Sequence, residues 1–319
     1  DTQKSIKSEP PTPTPISFDL SSSEWYLNRE LTWLEFNKRV LHEGQDKRNP
    51  LLERVFFLAV VGANLDEFFM KRIGGLKQQV GASVKKLSID GRLPQEQIDI
   101  CYESVREILD RQLSLEIELQ QLLAKEKIAV KRYLDLPVRD KKSIDSYFLN
   151  EIYPLLTPQG MDPAHPFPFI SNLSINLLVS CCYPDSDHSY LNRIKIPVSA
   201  DMCRFVKIGK TDTYILLEDL VANNMELLLP GMEIETCETF RVTRNAITDR
   251  HEEQANDLLG MIETALRDRK FAEIVRLEVE TTMLDHHKGK LAAELGVDEE
   301  MDVFEVDGLV GLRDRFEIS

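Results

Sequence analysis

Residues 50–76 read PLLERVFFLAVVGANLDEFFMKRIGGL. Wound at 100° per residue, this stretch places Leu51, Val55, Leu58, Gly62, Leu65, Phe69, Ile73 and Leu76 on one face. All are apolar or glycine, the pattern of a helix at the centre of a bundle. Leu52, Phe56 and Ala63 widen the stripe, so neighbours are expected on at least two sides. The opposite sector holds Glu53, Phe57, Val60, Asn64, Glu67 and Lys71. Two bulky apolar residues therefore flank a lone Asn on what should be the solvent side. Two readings of that sector stay open: a further helix covers Phe57 and Val60 and leaves Asn64 exposed, or the sector docks a planar ligand or another domain, with Asn64 supplying donor and acceptor groups.

Outward from this helix, the pattern continues in both directions. Thr32 and Glu35 form a T-x-x-E pair that predicts a helix start, running to about Asp46 with Trp33, Phe36, Val40 and Leu41 as its apolar face. Asn49-Pro50 breaks it and opens the central helix. Gly74-Gly75 is expected to close that helix, and Asp90-Gly91 marks a turn. Pro94 begins a third helix to about Lys127, with a stripe through Ile98, Cys101, Tyr102, Val105, Ile108, Leu109, Gln112, Leu115, Leu119 and Leu122. Three such helices predict a bundle over residues 25–127. Before it, residues 1–24 carry KSEPPTPTP and a Ser run, the composition of an extended or disordered tail.

Past residue 128 the period changes. Residues 128–134 read as a strand and Lys141–Ile152 as a short helix. Five prolines between 154 and 168 predict an irregular, stiff connection. Strands are expected over Ile175–Cys182, Arg193–Val198, Arg204–Ile208, Glu233–Thr243, Glu273–Glu280 and Asp302–Val306. Helices are expected over 214–221, 252–270 and Met283–Leu295. Strands and helices mix without a βαβ period, so the chain reads as multidomain α+β: a three-helix bundle, then a mixed α+β domain with a β-sheet over 128–319.

With 319 residues, two domains fit better than one core. The net charge is −15. An acidic chain argues against nucleic acid as a main partner and against gripping any polyanion unaided. No stretch approaches a transmembrane length. Five Cys (101, 181, 182, 203, 237) without C-x-x-C spacing read as reduced and structural, fitting a cytoplasmic protein. The chain opens at Asp1 with no leader pattern, which reads as a trimmed product.

Residue types capable of chemistry do not converge. There is no phosphate loop. Asp66 and Glu67 diverge by 100° on a helix and cannot face each other as acid and base. His286-His287 lacks the i, i+4 spacing of a two-ligand metal site. Both pairs read as solvated helix residues. His165, set between prolines without a carboxylate or Cys at useful spacing, reads as a turn histidine. Arg241, Arg244 and Arg276 on strands could face a phosphate channel, though pairing with Glu278 or Glu238 is more economical. No catalytic residue and no metal ligand is assigned.

Several blocks nevertheless resemble one family. Residues 26–41 (YLNRELTWLEFNKRVL), 50–54 (PLLER), 64–72 (NLDEFFMKR), 156–173 (LTPQGMDPAHPFPFISNL), 240–244 (FRVTR) and 275–279 (VRLEV) are similar, in order, to the start of bacterial polyphosphate kinases of the phosphohistidine type. The resemblance covers nearly everything after residue 24. It implies the amino-terminal half of an enzyme that makes inorganic polyphosphate from ATP with Mg2+, lacking the catalytic carboxy-terminal domains and inactive alone. It further implies that Asn64 holds the adenine of ATP, that the middle domain joins subunits into a homo-oligomer, and a cytoplasmic location or one peripheral to the inner membrane. The rival reading from another class is a non-catalytic helical protein-interaction module.

Overall fold

The computed structural model describes residues 19–161, 167–184, 186, 188–246 and 272–319. Residues 1–18 of the expected tail, His165 and the helix expected over 252–270 lie outside them.

The first helix, α1 (Arg29–Gln45), starts earlier than the T-x-x-E pair suggests. Asn28 is its cap: its side-chain oxygen accepts from the amides of Glu30 and Leu31 at 2.9 and 3.1 Å. Thr32 instead donates its hydroxyl to the Asn28 carbonyl. Docked on its neighbours, α1 buries Leu34, Asn37, Leu41 and Gly44 and leaves Phe36 exposed. Helix α2 (Leu51–Phe68) follows, with Pro50 as its cap. It does not end at the glycine pair: a π-turn over Phe69–Ile73 leads into α3 (Gly74–Gly81). Gly74 has a packing role instead. A Cβ there would lie 2.3 Å from the side-chain oxygen of Asn245.

Helix α4 (Pro94–Lys125) is the long third member, burying Ile98, Cys101, Tyr102, Val105, Ile108, Gln112, Leu115 and Leu119 as the stripe predicts. A three-stranded sheet holds β1 (Ala129–Lys131), β5 (Phe205–Lys207) and β6 (Thr213–Leu216), in the order β1-β6-β5. Residues 213–216 are thus a strand, with α6 (Leu217–Ala222) after it, rather than one helix from 214. Helix α5 spans Val138–Tyr147.

A six-stranded sheet has the order β2-β4-β3-β7-β8-β9. Its strands are β2 (Gln159–Met161), β3 (Ile175–Cys182), β4 (Ser189–Lys195), β7 (Glu233–Arg244), β8 (Ile274–Glu280) and β9 (Val303–Val306). All pairs are antiparallel except β8 with β9. The helices α7 (Met225–Leu228) and α8 (Asp285–Leu295) complete the α+β portion. Among the described residues, no helix is long and apolar enough to cross a membrane.

One core joins the two portions. Phe69 and Tyr102 of the helices stack edge-on against Phe304 of β9, with centroids 5.3 and 5.4 Å apart. The closing turn Leu312–Ile318 lies along α2, where Gly62 lets the backbones approach: a Cβ there would sit 2.9 Å from the Arg313 nitrogen. Burying such aromatic and aliphatic side chains is worth ~1.5–3 kcal/mol each.

Candidate functional site

Asn64 is half-buried, not solvent-facing. Its flank lies along α1, where the side-chain amide donates to Asn37 Oδ1 at 2.9 Å. Asn37 is fully buried, and its own Nδ2 faces the Val61 carbonyl at 3.5 Å. One turn and two turns back, Val60 and Phe57 are also half-buried. Gly44 of α1 lies tight against α2 and α4, since a Cβ on it would sit 3.3 Å from the Arg54 carbonyl oxygen and 2.9 Å from Leu115 Cδ2, with Phe57 Cβ in ordinary contact at 3.6 Å. The sector the helical wheel left unexplained is therefore partly covered by α1. What remains open is a strip of apolar surface with one amide at its edge. Lys71, two turns on from Asn64, is exposed and paired with Glu67.

Asp66, two positions from Asn64, turns the other way. The reading of Asp66 as solvated is corrected: it is 3% exposed. Arg241 Nη1 and Arg276 Nη2 donate to its Oδ1 at 2.8 and 2.6 Å, and Arg241 Nη2 donates to Oδ2. Glu278 also joins both arginines, and Arg276 donates to Thr243 Oγ1 at 3.1 Å. Burial pushes the Asp66 carboxyl up, but the two guanidiniums outweigh it and hold the group below the usual carboxylate range. Two cations and two anions close on one another, so neither Arg241 nor Arg276 faces a phosphate channel. The sequence carried a usable signal here. Asp66 follows Gly62 by four and precedes Phe69 by three, placing a charge within the apolar stripe, where only partners make it tolerable.

The remaining candidates resolve into structural roles. Arg244 donates to the carbonyls of Ile170 and Ala272 at 2.9 and 2.6 Å and sits 4.7 Å from the Phe169 ring centroid. Neither Glu278 nor Glu238 pairs with it. Glu238 instead accepts from the Leu284 amide at 2.8 Å and meets His287 Nδ1 at 2.6 Å. His287 is thus buried at the α8–sheet contact rather than solvated. No group of three or more His, Cys, Asp or Glu among the described residues is placed to hold a metal ion.

A separate cleft of about 520 Å3 is lined by Arg29, Glu30, Lys71, Arg72, Leu76 and Gln79. It does not include Asn64. The amide with its apolar strip is the more specific feature, because the cleft's Arg29 and Lys71 already pair with Glu30 and Glu67.

Comparison with known proteins places these features in a family. The polyphosphate kinase N-terminal domain matches residues 26–131, and the polyphosphate kinase middle domain matches 139–318. A polyphosphate kinase of Synechocystis sp. is 43% identical over 98% of this chain and 44% of its own length. That of Mycobacterium ulcerans is 41% identical over 92% of this chain and 41% of its own. The crystal structure of polyphosphate kinase from Porphyromonas gingivalis shares the fold, with a TM-score of 0.74 at 20% identity over 92% of this chain and 41% of that one. The chain spans less than half the length of these relatives. It belongs to the polyphosphate kinase family.

Proposed function

We propose that this chain is the amino-terminal half of an ATP:polyphosphate phosphotransferase, where it forms the adenine wall of the ATP site and takes part in subunit assembly. The observation that carries the reading is Asn64, a half-buried amide beside half-buried Phe57 and Val60 on one face of α2. An amide can pair with the donor–acceptor edge of adenine while apolar side chains cover the ring. Phosphate chemistry falls outside this chain. Its sequence holds no phosphate loop, and its strand arginines 241 and 276 are saturated by Asp66 and Glu278. Magnesium enters with the triphosphate. Residues 1–24 are a tail, 25–127 carry the nucleotide wall and 128–319 form the head through which copies pair, in the cytoplasm or peripheral to the inner membrane.

The test is Asn64→Ala in the full-length protein. Losing one hydrogen-bonding side chain weakens binding by ~1–3 kcal/mol, roughly 5- to 150-fold in ATP affinity. Stability should fall modestly, because the buried Asn37 Oδ1 loses its donor at a cost of ~1–3 kcal/mol, offset in part by the ~0.6 kcal/mol that Ala gains as the better helix former. Asn64→Asp should be at least as damaging, because it removes the amide donors and adds charge near the triphosphate. Unchanged ATP affinity and turnover in Asn64→Ala would return the Phe57–Val60 strip to a domain or subunit contact. Incubated with ATP and magnesium, the 319-residue chain alone should yield neither acid-stable polymer nor phosphohistidine.

A further inference from the structure

An amide that recognises a base must present its oxygen and nitrogen the right way round, and a free Asn can present either. Asn64 is not free. The Val61 carbonyl can only accept, so Asn37, fully buried beside it, turns its Nδ2 towards that oxygen. The 3.5 Å contact is long, but the reverse orientation would set two acceptors against each other at a fully buried position. Asn37 Oδ1 then faces Asn64, which must answer with its Nδ2 at 2.9 Å. The relay leaves Asn64 Oδ1 and its second N–H for whatever lies on the Phe57–Val60 strip.

We infer that Asn37 is a positioning residue that locks the Asn64 amide in the orientation selecting adenine over guanine, an inference that rests on the adenine reading of Asn64. In this orientation Oδ1 accepts from the exocyclic amino group of adenine, and the remaining N–H serves a neighbouring ring nitrogen. Guanine places a carbonyl oxygen where adenine has its amino group, so oxygen would meet oxygen. An unlocked Asn64 could turn over and donate to that oxygen instead. Sites that hydrogen-bond a substrate group discriminate in this way because a mismatch leaves buried polar groups unpaired. The α2 backbone, through one buried side chain on α1, thereby dictates the base.

The experiment compares ATP and GTP affinity in the full-length protein for the wild type, Asn37→Ser and Asn37→Leu, with thermal melting of each. A Ser hydroxyl donates or accepts with either orientation of Asn64, and Leu offers nothing, so both release the lock. The wild type should prefer ATP. Both variants should lose about tenfold of that preference, chiefly by gaining GTP affinity. Folded variants that keep the wild-type ratio, or lose ATP and GTP affinity equally, would reduce Asn37 to a packing role and overturn the inference. Asn64→Ala separates the layers. If it lowers ATP affinity while the Asn37 variants keep the ratio, the adenine reading survives and only the lock fails; if it leaves ATP affinity unchanged, both fail.

Discussion

Asp66 and Asn64 stand two positions apart on α2, and the helix sends them to opposite fates. Asp66 is enclosed by Arg241 and Arg276 from the large sheet, with both carboxylate oxygens occupied. Asn64 is half-buried and donates to Asn37, which leaves its oxygen and second N–H along an apolar strip. A polar group whose capacity is exhausted by its own protein has structural work to do. One that is oriented but unsaturated has room for a ligand. The charged residue is the more conspicuous in the sequence, and the neutral one is the better site.

The largest effect that could break this contrast is on stability at Asp66. Asp66→Ala would strand two buried guanidiniums with Glu278 alone, and breaking such a pair costs ~3–5 kcal/mol. At about 1.5 °C per kcal/mol for a chain this size, the melting temperature should fall by roughly 5–8 °C. A fall of under a degree would show that the lattice carries no structural load. At Asn64 the same contrast predicts loss of nucleotide affinity with a smaller fall in melting temperature, since Asn64→Ala takes the donor from the buried Asn37 Oδ1. An Asn64→Ala that loses as much stability as Asp66→Ala and no nucleotide affinity would move that residue into the structural class.

Titration sharpens the comparison. The Asp66 carboxyl is depressed in the fold, so its stabilisation is complete above the ordinary carboxylate value of ~3.9 and is lost as pH falls through the lower folded value. Glu280 behaves inversely. Burial raises its carboxyl, and nearby Glu218 and Glu238 push the same way. The folded state then holds the proton more tightly, and stability from this group rises as pH falls through its raised value towards ~4.3. Glu280→Gln should therefore melt higher than wild type at pH 7, with the difference vanishing in acid. A variant less stable than wild type at pH 7 would show that its contacts with Thr239 outweigh the cost of the buried charge. The smallest effect is expected at Lys71→Ala. Its pair with Glu67 is more than half exposed on both sides, and such pairs contribute ~0–1 kcal/mol, within about 1.5 °C of wild type.

Period alone exposed much of this fold. The α2 and α4 stripes follow from side chains that must face inward every 3.6 residues, and β3 over Ile175–Cys182 is a near-continuous apolar run buried on both faces. Local chemistry was less reliable where two signals competed. Thr32 and Glu35 imitate a capping pair, yet Asn28 supplies the cap and starts α1 earlier. Gly74 resembles a terminator because glycine often ends helices, whereas here its missing Cβ admits Asn245 from 171 residues away. No local rule can anticipate such a neighbour.

The candidate site divides along the same line. Asn64 and its companions Phe57 and Val60 could be read as one sector of a helix, because helical geometry fixes which side chains share a face. The partners could not. Asn37 lies 27 residues before Asn64, Arg241 lies 175 after Asp66, and Glu238 meets His287 across 49. A one-dimensional pattern records which residues seek burial or partners, but not which distant residue will meet them. Closure of the sheet on the helices decided that Asp66 would be saturated, and the docking of α1 against α2 decided that Asn64 would be oriented.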